Sequence, residues 1–90
     1  PDMIVCWNDV VAISVMTQLS SRSIMVPETI GVSGMDDIEA ALQYGLTTAK
    51  QPLFEKGYTA ATLLIQMIEE GDVEIKNVDL QCKVVKRTSL

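Results

Sequence analysis

The sequence predicts an α/β fold built on a partial, doubly wound parallel sheet. Short apolar runs, typical of buried strands, alternate along the 90 residues with segments of helical periodicity. Hydrophobic residues make up 48% of the chain, which favours a folded domain over a disordered segment. The predicted strands and helices are too few to cover both faces of such a sheet, so we expect the sheet to be incomplete or completed by another chain.

The first predicted elements are a strand, a helix and a second strand. Residues 3–6 form an apolar run, and Asn8 can cap a helix over residues 9–20, with Asp9 in its first turn, where the helix dipole favours a negative charge. Apolar side chains occupy several sides of this helix, so we expect one side to face the sheet and another to face a second subunit. Residues 29–33 are predicted to form the second strand.

Glycines mark the next two boundaries. Gly34 should allow a sharp exit from the second strand, and Gly45 should end a short helix or irregular segment over residues 38–44. Residues 46–50 follow as a third predicted strand. Strands that alternate with longer connections in this way are typical of parallel pairing.

The last predicted elements are a long helix and a strand. Apolar residues at helical spacing predict a helix over residues 52–70, with Pro52 in its first turn and Gly71 at its end. A mixed loop is predicted over residues 73–77. Residues 78–87 are rich in apolar and β-branched side chains, which favours a final strand.

Charge and residue usage exclude several classes of function. Seven basic and twelve acidic residues give a net charge of −5, so the chain as a whole does not attract a phosphate backbone. The chain has no histidine, which excludes histidine catalysis and histidine metal ligation within this segment. Cys6 and Cys82 have neither a zinc-ligand spacing nor the number for a disulfide framework, so we expect two buried free thiols in a reducing compartment.

The sequence predicts neither a membrane segment nor a secretion signal. No run of about 18 apolar residues occurs, and no basic segment followed by an apolar run opens the chain. We therefore expect a cytoplasmic protein with no membrane partner. The chain begins with Pro1-Asp2 and leads straight into a strand, so we expect it to be part of a longer protein.

Polar side chains follow three of the predicted strands. Asn8 comes after the first, Asp36 after the second and Gln51 after the third. Doubly wound sheets bind ligands at the carboxyl ends of their strands, so we expect these side chains to line a binding site. A carboxylate and two amides suit a polyhydroxylated ligand, and Trp7 could stack on a sugar face. The alternatives are that each polar group only caps a helix or ends a strand, and that Trp7 fills the core.

No motif for catalysis or phosphate binding is present. The sequence lacks a G-x-G-x-x-G loop, a G-K-S/T loop and a G-x-S-x-G elbow, and it shows no nucleophile paired with a base. Asp36 and Asp37 are adjacent in an extended segment and should point in opposite directions, so they make a poor shared site. The basic cluster of Lys83, Lys86 and Arg87 is expected only to be solvated. We predict no enzyme activity, no cofactor and no bound metal.

Four stretches of the chain, taken in order, resemble one family. They are P-D-M-I-V-C with Asn8-Asp9, V-P-E-T-I-G-V-S-G-M-D-D at residues 26–37, L-T-T with Gln51-Pro52 and Gly57, and V-V-K-R-T-S at residues 84–89. Each stretch alone is weakly specific, but the series covers nearly all of the chain at about the family's spacings. The sequence resembles the LacI/GalR family of bacterial transcription regulators.

The resemblance implies a sensor similar to periplasmic sugar-binding proteins, the periplasmic binding protein-like type I fold. Such a sensor has two α/β subdomains with the ligand between them, and the family adds an N-terminal helix-turn-helix. This chain resembles only the C-terminal portion of the sensor. Residues 1–50 and 84–90 would belong to the C-terminal subdomain and residues 51–83 to the other subdomain, and the DNA-binding domain is absent from this segment.

The resemblance also implies site residues. Asn8, Asp36 and Gln51 match family positions that contact the effector, Leu53 matches a nearby pocket position, and Trp7 lies where the family varies. The family dimerises through the helix after its Asn-Asp pair and through the segment after its Gly-x-Asp-Asp motif. The matching apolar positions are Val11, Val15, Met16, Ile38 and Leu42.

The residues and the resemblance together lead to the hypothesis that this chain belongs to a regulatory protein. The chain is expected to be the effector-sensing and dimerisation portion of a sugar-responsive, DNA-binding transcription regulator, a repressor. Its partners would be a small-molecule effector (a sugar or sugar derivative), further copies in a homodimer or higher homo-oligomer, and operator DNA bound through the absent N-terminal domain. The first alternative is a sugar-binding protein of a transport or chemotaxis system with the same fold. The second is a sugar- or nucleotide-processing α/β enzyme.

Overall fold

The computed structural model describes residues 1–71, 74 and 77–90, and within them four strands alternate with three helices. In chain order the elements are β1 (Met3–Val5), α1 (Asp9–Ser21), β2 (Gly31–Met35), α2 (Glu39–Gln43), β3 (Thr47–Lys50), α3 (Leu53–Glu70) and β4 (Lys83–Val85). The predicted order of elements is confirmed. Most of the loop predicted over residues 73–77 lies outside the described residues.

The four strands form one sheet in the order β1-β2-β3-β4. β1, β2 and β3 are parallel, with Ile4 opposite Val32 and Gly34 opposite Thr48. β4 is the outermost strand beside β3 and runs antiparallel to it. The prediction of a partial, mostly parallel sheet is confirmed. Its three parallel strands all end at the same edge, which is where ligands bind in folds of this class.

Two strands differ from their predicted bounds. β2 begins two residues later than predicted, at Gly31, and Gly34 lies inside it instead of ending it. A Cβ at Gly34 would collide with the Asp9 carboxylate, so this position needs glycine for close approach and not for a turn. The final strand, predicted over residues 78–87, covers only Lys83–Val85 because its partner β3 spans only four residues.

The chain divides into two compact units. The first unit comprises Pro1–Gln51 and Lys83–Leu90, and the second comprises Pro52–Cys82. Apolar side chains from several elements of the first unit pack together as its core. The buried members are Cys6, Ala12, Val32, Ala41 and Leu46. The first unit therefore has a core of its own, made by residues that lie far apart in the sequence.

The C-terminal residues of the first unit complete the sheet near the start of β2 and β3. The Ser89 hydroxyl donates to the Val32 carbonyl at 2.7 Å and accepts from the Thr47 amide at 2.8 Å. The Val32 amide donates to the Ser89 carbonyl at 2.8 Å, and the Ser89 amide donates to the Gly45 carbonyl at 2.9 Å. Ser89 is buried, where water cannot serve as the partner. Its side chain and backbone supply the hydrogen-bond partners that β2 and β3 do not supply for the Val32 and Thr47 backbone.

Both cysteines are free, as predicted, but the expectation that both thiols are buried is wrong for Cys82. Cys6 is buried in the core of the first unit, and Cys82 is exposed. Burial raises the pKa of the Cys6 thiol because the thiolate would lose its hydration. The two thiols should therefore differ in reactivity, since the thiolate is the reactive form.

The second unit contains the longest helix. α3 spans 18 residues, begins directly after Pro52 and ends at Gly71, whose φ of 77° lies in the left-handed region that favours glycine. Pro52 therefore occupies the N-cap position, one residue before the predicted first turn. No residue of α3 is buried, and the rings of Phe54 and Tyr58 stack one turn apart with their centroids at 6.3 Å. The apolar residues that predicted this helix are thus mostly exposed.

Candidate functional site

Three predicted site residues follow neighbouring strands of the sheet. Asn8 follows β1, while Asp36 and Gln51 directly follow β2 and β3. Because these strands are parallel neighbours, their carboxyl ends lie at one edge of the sheet. Trp7 stands beside Asn8 with 87% of its surface exposed, so the alternative in which it fills the core is wrong. An exposed indole ring of this kind can stack on a ligand.

Asn8 caps α1. Its backbone is extended, with φ −150° and ψ 174°, and its Oδ1 accepts a hydrogen bond from the Val11 amide at 2.9 Å. The capping role considered from the sequence is therefore present. The cap uses only the oxygen of the side-chain amide, and the N–H donors of the same group are compatible with a ligand contact.

Asp36 and Gln51 are brought together. Gln51 Nε2 donates to Asp36 Oδ1 at 2.9 Å, and both residues are half-buried. Asp36 has a φ of 112°, a positive value that non-glycine residues rarely adopt, and its amide donates to the Ala49 carbonyl at 2.9 Å. A carboxylate has about four lone-pair positions, so one amide donor leaves Asp36 able to accept from ligand hydroxyls.

Asp37 also has a positive φ, of 55°, but its partners differ from those of Asp36. Its Oδ1 pairs with Arg87 Nη2 at 2.7 Å, and its Oδ2 lies 3.9 Å from Lys50 Nζ. Arg87 Nη1 also donates to the Leu46 carbonyl at 2.9 Å. The two neighbouring carboxylates thus have separate partners. The expectation that Arg87 is only solvated is wrong, because its side chain folds back onto these groups and is 16% exposed.

Asp9 is a charged residue whose role the sequence reasoning missed. It lies in the first turn of α1, as predicted, but it is fully buried at 0% exposure. Its Oδ1 accepts from Thr48 Oγ1 at 2.6 Å, and its Oδ2 accepts from the Ile38 amide at 2.9 Å. No local signal marks this role, because Thr48 and Ile38 lie 39 and 29 positions further along the chain. Asp9 therefore joins α1 to β3 and to the start of α2.

The remaining predicted positions lie on or beside helices. Leu53 is the first residue of α3 and is exposed. Val11 of α1 and Leu42 of α2 are also exposed, at 46% and 70%. The other proposed interface residues are half-buried against the core of the first unit; they are Val15, Met16 and Ile38. Two of the five proposed interface side chains are therefore largely accessible.

Two cavities of the first unit involve α1. One, of about 350 Å³, lies over apolar residues of the helix, among them Val11 and Leu19. The other, of about 880 Å³, lies between the end of α1, the turn that follows it and Tyr44. None of the three polar residues at the sheet edge lines either cavity. The candidate site is therefore distinct from both.

The described part of the chain offers no metal centre. Within residues 1–71, 74 and 77–90, no group of three or more acidic or cysteine side chains could hold a metal ion. Every buried side-chain nitrogen or oxygen in the same residues has a hydrogen-bond partner. Among the helices described, none combines the length and the apolar character that a membrane crossing requires.

Comparison with known proteins identifies relatives along the whole chain. The family model of the periplasmic binding protein-like domain matches residues 1–90. The HTH-type transcriptional repressor PurR of Aliivibrio fischeri is 34% identical over 92 residues, which cover 100% of this chain and 27% of PurR. An HTH-type transcriptional regulator of Mycolicibacterium smegmatis is 49% identical over 61 residues, 68% of this chain and 17% of that protein. This chain thus spans about a quarter of the length of the PurR relatives that it matches.

Solved structures show the same relationship. The periplasmic binding protein/LacI transcriptional regulator from Alkaliphilus metalliredigens, complexed with D-xylulofuranose, matches with a TM-score of 0.82 and 32% identity over 98% of this chain and 34% of that chain. The Escherichia coli transcriptional repressor ascG matches with a TM-score of 0.78 and 34% identity over 99% of this chain and 33% of that chain. The chain belongs to the periplasmic binding protein-like domain family and corresponds to part of the effector-binding domain of LacI/GalR transcription regulators.

Proposed function

We propose that this chain is the effector-sensing and dimerisation portion of a sugar-responsive repressor that binds operator DNA. The observation that carries the proposal is the Asp36–Gln51 pair, joined at 2.9 Å at the carboxyl edge of a parallel sheet. It occurs in a chain whose relatives are named as transcriptional repressors. The proposed activity is ligand binding, with no bond made or broken.

A polyhydroxylated ligand suits the groups at this edge. Asp36 offers carboxylate lone pairs to hydroxyl donors, and the side chains of Asn8 and Gln51 each combine a donor with an acceptor. The exposed ring of Trp7 suits the apolar face of a sugar. The neighbour from Alkaliphilus metalliredigens is complexed with D-xylulofuranose, which supports a sugar or sugar derivative as the effector. For Leu53 the proposal rests on the family resemblance alone.

Replacing Asp36 tests the effector site. In the full-length protein encoded by the reading frame that contains this chain, Asp36→Ala should weaken sugar binding by about 1–3 kcal/mol, roughly 5- to 150-fold, because a hydrogen bond to a charged group is lost. Isothermal titration calorimetry with D-xylulose, D-ribose, D-glucose and D-galactose measures the affinities. The matched control is Asp2→Ala, which removes an exposed carboxylate and should leave binding unchanged. Equal affinity of Asp36→Ala and wild-type protein would remove Asp36 from the site.

We assign the chain to two subdomains of the full-length protein. Residues 1–50 and 84–90 are proposed to belong to the C-terminal subdomain and residues 51–83 to the other, bounds that lie within one residue of those of the two compact units. The effector is proposed to bind one relative orientation of the subdomains better than another, because a ligand shifts an equilibrium only through such a difference in affinity. Effector binding then changes the free energy of operator binding, and operator binding changes the free energy of effector binding by the same amount.

We propose that the protein self-associates through α1 and α2. The exposed side chains of Val11 and Leu42 support this interface, as does the shallow cavity over the apolar residues of α1. Val11→Glu and Leu42→Glu should each shift the full-length protein from dimer to monomer in sedimentation velocity, because an unpaired charge is costly to bury. Val84→Glu is the matched control, since Val84 is exposed on β4. A wild-type monomer, or dimers that survive both substitutions, would contradict the interface.

The transport or chemotaxis alternative is not favoured, because the relatives are named as transcriptional repressors and regulators. The net charge of −5 supports a DNA contact that lies outside these residues. Sequencing the reading frame upstream of Pro1 distinguishes the two functions. A helix-turn-helix there would support the repressor, whereas a secretion signal would exclude operator binding and the cytoplasmic location that we propose.

A further inference from the structure

We propose that Arg87 is a positioning residue for the effector site. Through its ion pair with Asp37 it holds the turn at residues 36–38 in the conformation that presents the Asp36 carboxylate. The inference rests on the proposed function, because Asp36 is the group that contacts the effector there. Arg87 acts through Asp37 and not through the ligand.

The backbone of this turn has to be held in place. Asp36 and Asp37 are consecutive non-glycine residues with positive φ values of 112° and 55°. Such values are uncommon for residues with a Cβ, and they persist where the surrounding structure imposes them. Aspartate tolerates the left-handed region better than most residues, which accounts for the residue type at Asp37. The conformation itself requires contacts from outside the turn.

Each amide of the turn donates a hydrogen bond to another element of the first unit. The acceptors, in chain order, are the Ala49 carbonyl at 2.9 Å, the Thr48 hydroxyl at 3.3 Å and the Asp9 carboxylate at 2.9 Å. All three lie on β3 or α1. The Asp37 side chain adds the 2.7 Å ion pair with Arg87, which follows β4. The ion pair therefore ties the turn to a further part of the first unit.

Arg87 is itself fixed by two other contacts. Its amide donates to Thr47 Oγ1 at 2.9 Å, and its Nη1 donates to the Leu46 carbonyl at 2.9 Å. The Arg87 and Asp37 side chains are only 16% and 15% exposed, so water screens the pair little. A planar guanidinium can hold a carbonyl and a carboxylate at once, in a fixed relative geometry. Arg87 thus fixes Asp37 relative to the start of β3.

Two variants of the full-length protein separate positioning from stability. Arg87→Met leaves the largely buried Asp37 carboxylate facing Lys50, whose Nζ lies 3.9 Å from Asp37 Oδ2. This substitution should therefore lower the Tm and weaken sugar binding. Asp37→Asn/Arg87→Met removes both charges and should recover most of the Tm. Its sugar affinity should remain weaker than that of wild-type protein by about tenfold or more, because the Asp36 carboxylate is no longer held in place. The matched control, Lys86→Met, removes an adjacent exposed cation and should change neither quantity.

The sugar panel is D-xylulose, D-ribose, D-glucose and D-galactose, as for Asp36. A double variant that binds sugar as well as wild-type protein overturns the inference, since the pair would then be structural only. If no sugar binds the wild-type protein, the proposed function fails, and amide hydrogen exchange then decides the role of Arg87. We expect the Asp36 and Ile38 amides to exchange faster in the double variant, with the Val32 amide in the core unchanged. Unchanged exchange at the turn, or faster exchange at Val32 as well, overturns the inference.

Discussion

Replacing Asp9 with asparagine tests how the first unit is held together. The two side chains have the same shape, but one carboxylate oxygen becomes an NH₂ group that only donates. In the structure both oxygens accept, from the Thr48 hydroxyl at 2.6 Å and from the Ile38 amide at 2.9 Å. If the new NH₂ group faces the Ile38 amide, two donors meet. If it faces Thr48, the hydroxyl can accept from it, but the Thr48 O–H then loses its acceptor.

The free energy of unfolding should fall by about 2.5–6 kcal/mol in Asp9→Asn. Loss of one hydrogen bond to a charged group costs about 1.5–3 kcal/mol, and a buried donor left without an acceptor adds about 1–3 kcal/mol. The position is fully buried, so water cannot replace the lost acceptor without rearrangement. Because domains of this size are stable by only about 5–15 kcal/mol, the loss is a large fraction of the total.

Urea denaturation followed by far-ultraviolet circular dichroism measures this change. Asp2→Asn, at an exposed aspartate, should shift the free energy of unfolding by no more than about 0.5 kcal/mol. Thr48→Val removes one of the two donors, so combining it with Asp9→Asn should cost about 1 kcal/mol less than the sum of the single changes. If Asp9→Asn lowers the free energy of unfolding by less than about 1 kcal/mol, the proposed role of the two hydrogen bonds to Asp9 is refuted, since one net hydrogen bond alone is worth that much.

Two further substitutions test other contacts of the first unit, and two further predictions concern the cysteines. Gly34→Ala should lower the free energy of unfolding by about 1–3 kcal/mol, since the added Cβ would collide with the Asp9 carboxylate; an unchanged urea midpoint would contradict the close approach. Ser89→Ala leaves a buried strand amide without its acceptor and should cost about 1–3 kcal/mol in the same assay, whereas a neutral effect would show that water replaces the hydroxyl. A thiol reagent should label Cys82 well before Cys6, whose thiol is buried and has a raised pKa; equal labelling rates in the folded protein would contradict this. The contribution of the Cys6 thiol to the free energy of unfolding should be complete below its ordinary pKa of 9.0 and should be lost as pH rises towards the raised folded value.

Most of the secondary structure could be predicted because its signals are local. Asn8 accepts from an amide three residues away, so the start of α1 is visible in a short window of sequence. Gly45 and Gly71 have φ values of 62° and 77° and follow α2 and α3 closely, as their residue type indicates. Parallel strands joined by helices then place three carboxyl ends at one edge, which made Asp36 and Gln51 predictable as neighbours.

The roles that could not be predicted depend on partners far along the chain. The Asp9–Thr48 hydrogen bond spans 39 positions, and the Asp37–Arg87 ion pair spans 50. Helix dipole and solvation arguments use only nearby residues, so they assigned Asp9 to the first turn and Arg87 to solvent. The length of β4 has the same cause, since it depends on where β3 ends. The positive φ at Asp36 also has no local signal, because no glycine occupies that position.

The place of Ser89 in the sheet has a consequence for the order of folding. The first unit is built from two segments that are separated in the chain by Pro52–Cys82, and the Ser89–Val32 hydrogen bond spans 57 positions. Contacts of such long sequence separation form slowly, because the entropy of closing the loop must be lost before they contribute. During synthesis from the N-terminus, β1, α1 and β2 leave the ribosome well before Ser89. Until then the Val32 carbonyl and the Thr47 amide lack their hydrogen-bond partner. The first unit is therefore begun before the second and completed after it, and its strands stay open to wrong pairing until Ser89 is in place.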